Sequence, residues 1–176
     1  MHLVAITGFL GSGKTTFIMK LVKAAMQRCL KVAAVVNEIE ETGIYDQFMK
    51  KIGLNVREIQ GNYVPDVVIV EPSGAADPRN LFDALGMSRT QFLTGTRRIA
   101  LLDPLRMDML MTVIEPLMTS AMRQADPILI NKADIASPEQ IEQTRLTAED
   151  TNPAPGVMVI SAKDDLEPRV LSDILS

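Results

Sequence analysis

Gly8-Phe9-Leu10-Gly11-Ser12-Gly13-Lys14-Thr15 follows directly on the apolar run Leu3 to Thr7 and leads into the amphipathic stretch Lys14 to Gln27. A strand, a G-x-x-x-x-G-K-T loop and a helix in that order are the parts of a phosphate-binding loop. Its glycines let successive backbone N–H groups, with those of the following helix N-terminus, point at a polyphosphate. Gly8, Gly11, Ser12, Gly13, Lys14, Thr15 and Thr16 are therefore the phosphate-binding candidates. Lys14 would reach the outer phosphates and the Thr15 hydroxyl would ligate Mg²⁺. Phe17, Ile18, Leu21, Val22 and Ala25 recur at helical spacing and should face a core.

The same alternation runs along the rest of the chain. Short apolar runs predict strands at Leu3 to Thr7, Val32 to Asn37, Val67 to Glu71, Arg98 to Asp103, Pro127 to Asn131 and Val157 to Ser161. Continuous β-branched runs of this kind suit strands covered on both faces, so the expected fold is α/β: three layers, a mainly parallel sheet with helices on either side. Pro78 opens a helix to about Leu85. Ser137-Pro138-Glu139-Gln140 supplies a cap, a first-turn proline and a capping-box glutamine for another that ends near Asp150. Met107 to Gln124 reads as a helix that Pro116 must kink or split.

With 176 residues, one domain spanning 1–176 is expected. The net charge of −4 argues against nucleic acid or an anionic membrane as partner, because either needs a basic field. No apolar run reaches membrane-spanning length; Val64 to Val70 is broken by Pro65 and Asp66. Cys29 is the only cysteine, which excludes an internal disulfide and points to a reducing, cytoplasmic setting. It reads as a small buried apolar residue just past the first helix. His2 is the sole histidine, so neither a histidine-based metal site nor a serine-type triad is available. Met107, Met109, Met111, Met118 and Met122 share one helical stretch; they suit adaptable core packing, or a contact surface for a dimer mate or client protein. Arg97 and Arg98 fall at the end of the sheet away from the phosphate loop, which leaves Lys14 as the evident catalytic cation.

In such folds ligands bind beyond the carboxyl ends of the strands. Glu71-Pro72-Ser73-Gly74 places an acid there to hold Mg²⁺ or its water, and a glycine, Gly74, whose N–H could meet a terminal phosphate. Asn131-Lys132-Ala133-Asp134 is an N-K-x-D tetrad. Asp134 can accept two hydrogen bonds from the guanine edge, where adenine would leave it unpaired, a difference that such sites turn into discrimination of up to about 10⁴ to 10⁵ fold. Lys132 can lay its stem on the base, Asn131 can tie this loop to the phosphate loop, and a backbone N–H in Ser161-Ala162-Lys163 can meet the base oxygen. GTP or GDP with Mg²⁺ is the cofactor set these positions suggest.

These segments, with Asn37-Glu38-Ile39-Glu40-Glu41-Thr42-Gly43-Ile44 and Ala75 to Pro78, resemble the CobW-like GTPases, relatives of the nickel-enzyme maturation factors UreG and HypB. The resemblance implies a GTPase domain that couples nucleotide state to metal or cofactor delivery to a client metalloprotein or cofactor enzyme. It makes Asn37-Glu38 the first switch and Glu38 a candidate to meet Mg²⁺ or the attacking water, so Glu38 and Glu71 share the metal and catalytic roles with Thr15 and Lys14. Two departures stand out: the family's C-x-C-C motif has no counterpart here, and its C-terminal domain is missing. Asn55 to Ile59 also reads as extended, with only Gln60 to Asp66 before the next strand, too few residues for a parallel crossover. Either it is an antiparallel edge or loop segment, or a cysteine-bearing stretch is absent after Gly61; the resemblance favours the second. A phosphate-loop kinase or ligase using ATP, and a nucleotide-regulated binding module with little hydrolysis, are the alternative readings.

Overall fold

Six strands alternate with four helices in the residues that the computed structural model describes, 1–36, 65–71 and 94–175. Strand β1, His2–Thr7, is followed by helix α1, Lys14–Gln27, and strand β2, Val32–Val36. Then come β3, Val67–Glu71, β4, Gly95–Leu102, and helix α2, Met107–Arg123. Strand β5, Pro127–Ile130, helix α3, Pro138–Thr151, strand β6, Gly156–Val159, and helix α4, Pro168–Leu175, complete the order. The first switch, the extended segment at Asn55 to Ile59 and the helix opening at Pro78 all lie outside the described residues.

The strands form one parallel sheet in the order β2-β3-β1-β4-β5-β6. Every strand therefore ends at the same edge. β1 stands at the centre with β3 on one side and β4 on the other, so the loop that leaves it opens between two neighbours. Alternate residues of β4 divide the core: Ile99 and Leu101 face α1 and α4 with Phe17, Leu21, Val170 and Ile174, while Ala100 and Leu102 face α2 and α3 with Met107, Leu110, Met122 and Ala148. Covering both faces is what makes the apolar runs continuous rather than alternating. Among the described residues no helix is long and apolar enough to cross a membrane.

Local signals explain most boundaries. The Ser137 hydroxyl accepts from Gln140 N while Gln140 Oε1 accepts from Ser137 N, a complete capping box with Pro138 in the first turn. Helix α2 breaks at Ile114, φ −135° and ψ 35°, because the Pro116 ring crowds the preceding turn and has no N–H to donate. Its methionines divide. Met107, Met118 and Met122 are buried, whereas Met109 is half exposed.

Two sequence expectations need correction and one element is added. Cys29 is exposed, not buried. It occupies the left-handed position after α1, φ 60°, in a C-terminal motif where Cys29 N donates to Met26 O and Leu30 N to Ala25 O. The second is β4, which begins at Gly95, so Arg97 and Arg98 lie inside it at its amino end. Third, α4 was not foreseen, although Val170, Leu171, Ile174 and Leu175 repeat at helical spacing behind Pro168.

Candidate nucleotide-binding site

The loop after β1 starts tight against β4. The Thr7 hydroxyl donates to Ile99 O at 2.9 Å, and a Cβ on Gly8 would stand 2.6 Å from Leu101 O, so glycine lets the loop start flush against β4. Gly13, with φ 94°, is the N-cap of α1; a Cβ there would collide with the Asn131 amide nitrogen. The N-terminus of α1 has no side-chain cap and no acid in its first turn. Its unpaired N–H groups, and the positive end of its dipole, are thus left to the hollow of the loop. Ser12 Oγ is buried with no hydrogen-bond partner among the described residues. A phosphate oxygen is the chemistry that such a hydroxyl at a helix N-terminus fits.

Lys14 is buried in the first turn of α1, with Thr15 and Thr16 half buried beside it. Its ammonium donates to Phe9 O at 3.4 Å and pairs with Glu71 Oε1 at 3.7 Å. Both contacts are long. An ammonium carries three donors, so this one retains capacity for phosphate oxygens. Glu71 is itself buried at the end of β3, and the sheet brings it within reach of a lysine 57 positions earlier only because β3 pairs with β1. Its carboxylate and the Thr15 hydroxyl are hard oxygen donors of the kind Mg²⁺ takes.

The base motif is joined to this loop. Asn131 Nδ2 donates to Ser12 O at 2.9 Å and Asn131 Oδ1 accepts from Ala162 N at 2.8 Å, so one buried amide links the loops after β1, β5 and β6. Because the Ala162 N–H is committed to Asn131, the next N–H in Ser161-Ala162-Lys163 is that of Lys163. Asp134 Oδ2 accepts from Lys163 Nζ at 2.8 Å, and that ammonium, ahead of the other influences, holds the Asp134 carboxyl below its ordinary range. Lys132 adopts φ 66°, a conformation non-glycine residues take only when surrounding contacts hold it. Those contacts are present: its carbonyl accepts from Ile135 N and Ala136 N, and its Nζ donates to Asp103 Oδ2 at 2.7 Å.

Asp103 and Arg106 were missed from sequence. Asp103 ends the β4 run, and its fully buried side chain accepts from Leu105 N through Oδ1 and from both Lys132 and Arg106 through Oδ2. Arg106 Nη2 donates in turn to Leu10 O, and the guanidinium lies 5.9 Å from the centre of the Phe9 ring. A cation beyond Lys14 therefore touches the phosphate loop. The rule that picked out Glu71 and Asn131, polar residues just past a strand, selects Asp103 as well. Glu38 and Gly74 lie outside the described residues. Among the described residues no group of three or more His, Cys, Asp or Glu is placed to hold a metal ion.

A glycine cradle on a helix N-terminus, a buried lysine and a base tetrad tied to the cradle define a phosphate-loop nucleotide-binding domain. The sequence model for the CobW/HypB/UreG nucleotide-binding domain matches residues 2–62 and 52–159, and the chain belongs to that family. It is 30% identical over 155 residues to the zinc chaperone YeiR of Escherichia coli strain K12, covering 76% of this chain and 47% of the relative. The Zn(II)-bound YjiA GTPase from E. coli superposes with a TM-score of 0.67 at 21% identity over 97% of this chain and 60% of that one. The hydrogenase maturation factor HypB from Archaeoglobus fulgidus does so with 0.56 at 20% identity over 92% and 80%. At such identities the solved structures speak for the fold alone. The chain spans about half the length of the curated relatives it matches.

Proposed function

We propose that this domain binds GTP with Mg²⁺, hydrolyses it to GDP and phosphate by in-line attack of water, and couples nucleotide state to delivery of a metal or cofactor to a client protein. The observation that carries this reading is the Asn131 bridge, which fixes the base tetrad and the phosphate loop as two halves of one cleft. In that cleft Gly8 to Thr16 hold the phosphates and Lys14 neutralises the outer ones. Asp134 reads the guanine edge, exchanging part of its contact with the exposed Lys163 for the base, while the Lys132 stem lies along the ring. Thr15 and Glu71, with Glu38 from the first switch, would hold Mg²⁺, which when bound offsets charge developing on the phosphates. Glu71 or Glu38 positions the attacking water, and Gly74 senses the terminal phosphate. Hydrolysis should be slow without a partner or dimer mate supplying further charge stabilisation.

Delivery is supported by membership of the family and by likeness to a protein named a zinc chaperone. Cytoplasmic placement rests on the single cysteine, the absence of nucleic acid and membrane partners on the acidic charge, a client metalloprotein or cofactor enzyme on the family, and a homodimer on the methionine-rich helix α2. The chain lacks the thiolate motif that would hold a soft metal. The resemblance and the short Gln60 to Asp66 connection favour a cysteine-bearing segment absent after Gly61; a full-length product with the mass of these 176 residues alone would end that idea.

Titration with fluorescent GDP, GTP and ADP, with and without Mg²⁺, tests the core of the proposal. Tight, Mg²⁺-dependent guanine binding over adenine is expected, followed by phosphate release in single turnover. Equal or stronger adenine binding would overturn the base assignment in favour of an ATP-dependent kinase or ligase. Binding without phosphate release would leave a nucleotide-regulated module.

A further inference from the structure

We propose that Asp103 and Arg106 are positioning residues that form a second brace between the guanine-reading loop and the phosphate cradle, so that the grip on the base depends on a guanidinium that touches no part of it. The proposal rests on the guanine reading above. Asn131 supplies the first brace through its amide. The second is ionic: Lys132 Nζ at 2.7 Å and Arg106 Nε at 3.1 Å share Asp103 Oδ2, while Arg106 Nη2 holds the Leu10 carbonyl of the cradle. Asp103 is buried with 0% side-chain exposure, and its two oxygens are satisfied by those two cations and by Leu105 N, which donates to Oδ1 at 3.1 Å.

The geometry assigns Arg106 a place behind the cradle rather than in it. N–H groups of such a loop face the phosphates, whereas Arg106 grips a carbonyl and lies over the Cα of Gly11, where a Cβ would come within 2.8 Å of Nη2. With φ 76°, Gly11 is already a position that suits glycine. Arg106 suits the bridge because a guanidinium presents donors on separate atoms of a fixed fork, Nε for Asp103 and Nη2 for Leu10, whereas the donors of an ammonium all leave one nitrogen and cannot take both places. On the other arm Lys132 stands in a left-handed conformation, and its bond to Asp103 helps keep its stem where a purine would lie. A shift of the Leu10 carbonyl is thereby passed through Arg106 and Asp103 to the residue flanking the base.

The test is the ratio of GDP to ADP affinity in the full chain, measured by fluorescence titration for wild type, Arg106→Gln, Arg106→Lys and Asp103→Asn. Guanine preference in the wild type is the control: its absence overturns the guanine reading itself. Given that preference, both Arg106 variants should lower the ratio by roughly tenfold, the order expected of groups in one bonded network. A cradle loosened without coupling would weaken GDP and ADP alike, and an unchanged ratio would overturn the proposal. Wild-type behaviour of Arg106→Lys would also overturn it, since charge alone would then suffice. Asp103→Asn should reproduce the ratio of the Arg106 variants. Its buried site risks misfolding, so the partly exposed Arg106 carries the decision if circular dichroism shows that Asp103→Asn is unfolded.

Discussion

The two ends of the sheet use the same residue types in opposite ways. At the amino end Arg98 meets Asp126 in a closed pair: Nε and the backbone N of Arg98 donate to Oδ2 at 3.2 and 2.8 Å, and Nη2 donates to Oδ1 at 2.8 Å. Both carboxylate oxygens are taken. Around the phosphate loop at the carboxyl end the ionic contacts are shared or long: Asp103 serves two cations through one oxygen, and Lys14 meets Glu71 at 3.7 Å. The first arrangement satisfies itself, while the second keeps donors free for a ligand. An open cavity of about 460 Å³ does lie between Arg97, Asp126, Glu167 and Asp173, yet no residue of the phosphate loop or of the base tetrad lines it. Ionic density alone does not mark a binding site; incomplete mutual satisfaction does.

Substitutions at each end can break this contrast. Lys14→Ala should have the largest effect, lowering affinity for GDP and GTP by roughly a hundredfold, since a charged hydrogen bond in a buried site is lost; titration reads it, and binding within about threefold of wild type would show that the carboxyl end does not depend on its free donors. Asp134→Asn should come next. It should cut guanine preference by about tenfold or more while the melting temperature stays near that of the wild type, and retained preference would count against Asp134 as the base reader.

At the amino end the sign reverses. Arg98→Met should leave nucleotide affinity unchanged but cost about 1 kcal/mol of stability, a modest figure because the guanidinium is 42% exposed and partly screened. The urea midpoint should fall without a change in slope. Burial alone would raise the Asp126 carboxyl, but hydrogen bonds and charge from Arg98 outweigh it and hold the group below its ordinary value of 3.8. The pair's contribution is therefore present above that value and fades as pH falls through the folded pKa, and Arg98→Met should remove this acid-linked loss. The smallest effect belongs to His2. Burial, then the charge of Arg97, lowers its pKa from 6.5, so the folded protein favours the neutral ring. As pH falls below 6.5 the unfolded chain takes up the proton first and stability declines; His2→Gln should flatten that slope in urea unfolding between about pH 5 and 7.

What could be read in advance followed from chemistry local to a few residues. Strands covered on both faces leave unbroken apolar runs, and a capping box or a G-x-x-x-x-G-K-T loop is complete within eight positions. Arg106 escaped because Asp103-Pro104-Leu105-Arg106 looks like any polar turn; its importance comes from Leu10, 96 positions away, arriving beside it when β4 pairs with β1. Cys29 was misjudged for a different reason. Composition favours a buried thiol, but the left-handed backbone that ends α1 turns the side chain outward.

Gly13 and Asn131 have a consequence for biosynthesis. Ser12 receives its supporting amide from a residue 119 positions downstream. A ribosome that has delivered α1, β2 and β3 has made the triphosphate loop in name only, because its buttress has not been translated. Nucleotide capture by the growing polypeptide should therefore begin late, after β5 emerges, which leaves the amino-terminal three quarters to assemble without help from the ligand.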